Sequence, residues 1–413
     1  MNIKEKFRAF LPGIFLLGFG MGTGSVTSMA KAGADYGMAL LWTILLSCLV
    51  TYYMIVIYGK FTLVTGKTAL HAFRKHIHPS VGIFFIVALT AVIGAAIMGV
   101  MGIITDVCYV WSKSFIPGGI DAIWFAVFFI AIVYLLFWSG STDLFQKALA
   151  IIVAVMTLAF IVNFFLLMPP ISEIGRGLVP RIPETLTGAK SAPLLIIASM
   201  VGTTVFSGLF IIRTTLVQEA GWTLDDLKQQ QKDAALSATM MFIIALTIMA
   251  AAAGTLHKQG LNLTEASQMV VLLEPLAGAF AVAIFVIGLV SAGLSSQFPN
   301  VLLLPWLLLD YTQEERDLKK PKFRVMVLFM SLLGLVVPVF KARPVFAMIA
   351  SQAFGSLILP ATVLCILYIG NKKSVMGEHT HPLKDNIILV LILIFSLYMS
   401  VAGIRGLIGS ISS

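Results

Sequence analysis

Gly18 to Ser28 reads GFGMGTGSVTS, and the fold turns on what a chain can do with these residues. Gly18, Gly20, Gly22 and Gly24 alternate ahead of Ser25, Thr27 and Ser28. Each glycine weakens a helix by roughly 1 kcal/mol relative to alanine. The stretch lies inside an apolar run from Phe10 to Gly33, so the helix is expected to unwind at membrane depth. Unwound backbone in lipid must line a cavity or bury itself in protein, because no water is present to satisfy its N–H and C=O groups. A second run, VGTTVFSGLFIIRTT from Val201 to Thr215, repeats the interruption with Gly202, Thr203, Thr204, Ser207 and Gly208.

Around these breaks lies a chain of 413 residues that is 59% hydrophobic and 11% charged, with mean hydropathy +0.98. Soluble domains are about a quarter charged, so soluble enzymes and nucleic-acid binders are excluded and lipid is the expected solvent. The net charge of +9 fits basic cytoplasmic loops facing anionic headgroups. Cys48, Cys108 and Cys365 sit in apolar stretches without ligand spacing and read as packing residues. The histidines of HIH (His76 to His78) and HTH (His379 to His381) read as solvated loop residues. With no nucleophile beside a base and no metal cluster in a span, the chain is not expected to be an enzyme, and no cofactor is implied.

About eleven apolar stretches between Phe10 and Ile408 are long enough to cross a bilayer. They form one all-α polytopic domain, with a first repeat at about 10–168, a second at about 192–370 and an extra helix at about 387–408. Each break opens a run of five spans, and paired breaks in corresponding positions point to an inverted-repeat transporter with a midplane site. Lysine and arginine number about 18 on one side of the alternating loops and about nine on the other. This bias places the N-terminus in the cytoplasm and the C-terminus outside. The first span lacks a cleavage site, and a prokaryotic plasma membrane is the expected location.

Several stretches carry a family likeness: AKAGADYGMALLW (30–42), LVTGKTALHAFRKH (63–76), TTLVQEAGW (214–222), SAGLSSQ (291–297), SQAFGSLILP (351–360) and NKKSVMGE (371–378). Together they resemble the NRAMP family of proton-coupled divalent-metal transporters. That resemblance implies a LeuT-type fold of five-plus-five inverted repeats with helices 1 and 6 broken. The family's metal-binding Asp-Pro-Gly-Asn falls on Gly22, Thr23, Gly24 and Ser25, without a carboxylate. Its Met-Pro-His falls on Phe206, Ser207 and Gly208, without sulfur, and a second family histidine falls on Arg213. The acidic proton-route residues of the third span fall on Ile97 and Val100.

With every acid placed in a loop or near a span end, the breaks are expected to offer hydroxyls and backbone only, from Thr23, Ser25, Thr203, Thr204 and Ser207. Lys31 and Arg213 follow the breaks by about 9 Å and about 7.5 Å of helix. The half-helices beginning near Ser25 and Gly208 would also aim their N-terminal dipoles at the site. Three functions stay open. The first is secondary transport of a small anion, bicarbonate foremost, drawn by Lys31 and Arg213. The second is transport of a divalent cation, Mg²⁺ or Mn²⁺, through a non-standard site, and the third is a non-transporting sensor or partner-binding subunit. Lys31 has a competing structural role, pairing with Asp35 one turn on. Ser295 and Ser296 resemble the place where LeuT-type symporters hold sodium, which makes Na⁺ a candidate coupling ion. Ser351 and Gln352 match a polar position that the family uses beside its site, where they could gate or hydrate the substrate.

Overall fold

A computed structural model describes residues 11–139, 158, 161–162, 164–165, 169–184, 191–266, 268–269, 279–314 and 317–412. These residues are helical throughout their ordered elements and contain no strand. The first span is broken, with α1 at Leu11–Gly20 and α2 at Thr23–Tyr36. Then come α3 (Leu41–Thr65), a short α4 (Ala69–His76), α5 (Pro79–Ser112) and α6 (Ala122–Ser139). The expected fifth span lies almost wholly outside the described residues. After α7 (Ile171–Gly177), the sixth span is again broken, into α8 (Ser191–Thr204) and α9 (Ser207–Glu219). The rest comprises α10 (Leu227–Ala252, running into a π turn at Ala253–His257), α11 (Ala279–Thr312), α12 (Pro321–Leu332), α13 (Val336–Phe340), α14 (Pro344–Gly355), α15 (Leu359–Gly370), α16 (Lys373–Met376) and α17 (Leu383–Ser412).

Nine helices among the described residues are long and apolar enough to cross a membrane, and the broken first span adds to them. Their ends follow local chemistry. Gly37 and Gly66 adopt φ of +56° and +63° and close α2 and α3 with bonds back to the Gly33 and Thr62 carbonyls. Proline opens α5, α12 and α14, where its missing N–H costs nothing. The tenth span, expected to be continuous, is instead interrupted at residues 356–358 before α15. Pro360 stands in the first turn of α15 and cannot extend a preceding helix, because it lacks a donor for the Ser356 carbonyl.

Two faces follow from the alternation of the spans. One, the basic face, carries α4, α16 and the chain segments with Lys67, Arg74, Lys75, Lys319, Lys320, Lys372 and Lys373. The other carries Gly37 to Leu40 and α7, where Trp42 donates to the Arg181 carbonyl. The broken sixth span is buried along its whole apolar window, whereas 22% of that of α6 and 33% of that of α17 are buried. The interrupted helix therefore sits at the centre, and α6 and α17 present their apolar sides to lipid.

Around that centre, α8 packs on α14, α17, α2 and α3, while α10 packs on α1, α2 and α3. The α8–α14 crossing is close because Gly202 lies directly on the Gln352 carbonyl, and a Cβ at Gly355 would stand 3.2 Å from the Gly202 carbonyl oxygen. Small residues are how helices approach one another in lipid. Gly202→Val would drive a branched side chain into backbone that cannot yield, and overpacking of this kind costs about 1–3 kcal/mol. We expect a lowered thermal unfolding midpoint in detergent for Gly202→Val, with Gly175→Ala, where nothing stands within 4 Å, unchanged.

Candidate functional site

The two breaks meet at a small cavity of about 40 Å³. Gly20, Gly22, Gly24 and Ser25 supply one wall, Thr203 and Phe206 a second, and Ser296 and Asn300 of α11 with Gln352 of α14 the others. Val92, Ile93, Ala96 and Val100 of α5 close it with apolar surface. Glycine is required here by close approach. A Cβ on Gly22 would come within 2.5 Å of the Ser296 Cβ, and one on Gly24 within 2.6 Å of the Gln352 Nε2. Phe206 stands at the start of α9, packs edge-on against Phe19 at 5.8 Å, and lies over Gly208. Phe15, which touches Phe19 and Trp306, also lines a separate cavity of about 250 Å³ beside Glu219 and Asp310, toward the basic face.

The direction of each hydroxyl proton decides what the cavity can bind. Ser25 has one, and donates it to the Gly20 carbonyl at 2.6 Å. The 2.8 Å contact between Ser25 and Thr203 must then run from Thr203 to Ser25, which leaves the Thr203 oxygen with lone pairs alone. Ser296 donates backward to the Ala292 and Gly293 carbonyls, both at 3.0 Å. Gln352 turns its NH₂ toward the Met348 sulfur at 3.5 Å. A thioether only accepts, so one N–H of this NH₂ is spent there, while the same NH₂ lies against Gly24 at the cavity wall. Thr203 and Ser296 thus face the cavity as acceptors.

Other expected site residues serve to join helices. Ser207 accepts from Thr362 at 2.7 Å, and the Thr204 carbonyl accepts from Thr51 at 2.8 Å. The hydroxyls of Thr23 and Thr204 are buried without a partner. Ser351 donates to the Met348 carbonyl at 2.8 Å, and Ser295 is half-buried outside the cavity lining. Val100 lines the cavity, while Ile97 lies behind it with its carbonyl accepting from Gln297 at 3.3 Å.

The two cations are corrected by the structure. Lys31 pairs with Asp35 at 2.6 Å and donates to the Leu263 carbonyl at 2.8 Å. The i, i+4 spacing makes that pairing local and inexpensive. Arg213, expected to have no acid nearby, pairs with Asp233 at 2.5 Å, both side chains being fully buried. Asp233 also accepts from the Gly13 N–H at 3.0 Å, so one carboxylate ties α1, α9 and α10. Neither cation lines the central cavity. Asp233 lies near the start of α10, at a span end as expected, but it is fully buried there near the basic face.

Two residues escaped the sequence. Asn300 is a polar side chain next to a proline within an apolar span, which is a detectable signal, and Met348, one methionine among 19, carried none.

A family model described as natural resistance-associated macrophage protein-like, Nramp, matches residues 14–405. A natural resistance-associated macrophage protein 2 homolog of Dictyostelium discoideum is 24% identical over 416 residues, covering 98% of this chain and 64% of the relative. A divalent metal cation transporter MntH of Yersinia pestis is 24% identical over 285 residues, covering 66% of this chain and 65% of the relative. The matches therefore span just under two thirds of these relatives' own length. Among solved structures, a mutant of the Eremococcus coleocola manganese transporter superposes with a TM-score of 0.79 at 15% identity, over 97% of this chain and 86% of that one. The same transporter with an aromatic bis-isothiourea compound gives 0.75 at 16%, over 98% and 87%. At these identities the likeness shows the fold, which is the LeuT-type membrane-transporter architecture.

The buried pair yields a sharp expectation. Removing one partner leaves a charge without water or counter-ion, at a cost of about 3–5 kcal/mol, whereas replacing both by apolar residues is nearly neutral or stabilising. Asp233→Ala should lower the unfolding midpoint strongly, and Arg213→Met with Asp233→Leu should recover most of the loss. Equal midpoints for Asp233→Ala and the parent protein in detergent would contradict the pairing.

Proposed function

The chain belongs to the natural resistance-associated macrophage protein-like family, and from that premise we propose that it is a secondary transporter of a divalent metal cation, held by neutral oxygen atoms. The supporting observation is the polarity of the cavity. Ser25, Thr203 and Ser296 have spent their protons on protein acceptors. Lone pairs attract a cation and repel an oxyanion.

Bicarbonate, the anion first favoured from the sequence, loses its attraction points because Lys31 and Arg213 carry their own counter-ions. Two relatives of different breadth point the same way by name, one a divalent metal cation transporter and the other a manganese transporter. Hard divalent ions accept hydroxyl, carbonyl and amide oxygens, and Mg²⁺ in particular keeps several of its waters. A site without a carboxylate therefore suits a cation that enters partly hydrated. The protein is a multi-pass membrane transporter in this proposal, with its basic face toward the cytoplasm.

The test uses purified protein in liposomes under a fixed membrane potential, measuring Mn²⁺ and Mg²⁺ uptake beside bicarbonate-driven change of internal pH, with and without a sodium gradient. Saturable uptake of a divalent ion is expected. Bicarbonate flux without metal flux would overturn the proposal, and so would the absence of any flux, which would favour a sensor or partner-binding subunit.

A further inference from the structure

Asn300 is the polar side chain at the cavity that has no partner. It is 6% exposed, its side chain has no hydrogen-bond partner among the described residues, and it lines the cavity between the breaks. A buried carboxamide in this condition calls for an explanation, since buried polar groups are otherwise nearly always paired. Its helix explains how it comes to face inward. Pro299 and Pro305 lie inside α11, and Pro299 removes the N–H that the Ser295 carbonyl would otherwise accept. One turn before Asn300, Ser296 presses against the unwound backbone at Gly22. Helix α11 therefore brings a hydroxyl oxygen and a free carboxamide to the same small space.

A carboxamide can offer either an oxygen or an NH₂. Its neighbours restrict the choice, because Thr203 and Ser296 already present acceptors. A cation is met by all of them at once, and it would take the Asn300 oxygen rather than its NH₂. Asn and Gln carbonyls are ordinary ligands of hard divalent cations.

We propose that Asn300 is a direct ligand of the transported cation, through Oδ1, and that α11 supplies with it an oxygen that the two broken helices lack. This rests on the cation transport proposed above. Substitution here should set affinity more than folding, because Asn300 makes no bond that holds the protein together.

The experiment measures Mn²⁺ and Mg²⁺ uptake by the full-length protein in liposomes for the parent, Asn300→Ala and Asn300→Asp. It is paired with the rise in unfolding midpoint that each ion produces in detergent. Asn300→Ala should raise KM for both ions about fivefold or more, and Asn300→Asp, which adds a charge at the same position, should lower it about tenfold. The Mn²⁺-induced rise in midpoint should shrink in the first variant and grow in the second. Parent-like KM and parent-like thermal shifts in both variants, with the parent carrying Mn²⁺, would overturn the role of Asn300 and leave cation transport standing. A parent that carries no divalent ion would overturn the transport proposal itself. Should Asn300→Ala fail to fold, the Asn300→Asp comparison decides alone, since it preserves shape and changes only charge.

Discussion

A helix interrupted inside lipid must find partners for the backbone it exposes, and the rest of this structure follows from how that requirement is met. The end of α1 is completed by Ser25, whose proton goes to the Gly20 carbonyl. Ser25 is completed in turn by Thr203, across the bundle on the other broken span. A second serine pair, Ser28 and Ser199, ties α2 to α8 at 2.7 Å. These short bonds hold the two interruptions side by side, and they also fix which way each proton points. The requirement to satisfy backbone thereby becomes a statement about ligands, because hydroxyls that cap carbonyls have only lone pairs left to offer.

Charge is handled by neutralisation at a distance from the cavity. Toward one face, Lys31, Asp35 and the Leu263 backbone knit the end of α2 to the chain after the π turn. Toward the basic face, Arg213 and Asp233 bind α9 to α10, and Asp233 reaches the Gly13 N–H of α1. Gly13 must be glycine for this, since a Cβ there would overlap Asp233 and Ser237. A buried ion pair is a poor source of net stability, but it penalises any arrangement that separates its partners. Here the pair joins α9 to α10, and the Gly13 N–H adds α1, so Asp233 fixes the register of the basic-side halves of both interrupted spans against α10.

The breaks, the helical class and the span order are legible in the sequence because their causes are local: alternating glycines, apolar runs and turn glycines. Lys31 with Asp35 was legible for the same reason, as two residues one turn apart. Arg213 with Asp233 was not, since 20 residues and a turn separate them and the contact exists only once α9 and α10 fold back on each other. The proton order at Ser25 was hidden more deeply. It depends on Thr203, which is 178 residues away, and on a carbonyl freed by unwinding. Of the hydroxyls expected from the sequence, Ser25 and Thr203 line the cavity; a sequence leaves each of them both donor and acceptor, and that ambiguity is what allows an anion. The interruption before α15 has a local cause in Pro360, but a single proline in an apolar run is equally compatible with a tolerated kink.

The half-helices themselves cannot choose between cation and anion. At the cavity α1 and α8 end while α2 and α9 begin, so two negative and two positive dipole ends converge, each worth about half a charge, and they roughly offset. The choice falls to side chains, where the structure is one-sided. Thr203 and Ser296 present oxygen, and Met348 takes one N–H of Gln352. Without a carboxylate such a site gives a divalent ion less attraction than water does unless part of the hydration shell is kept. Selection then depends on which waters the cavity walls allow to remain. The walls that decide this are glycines, and the cavity of about 40 Å³ leaves room for little more than one water beside the ion.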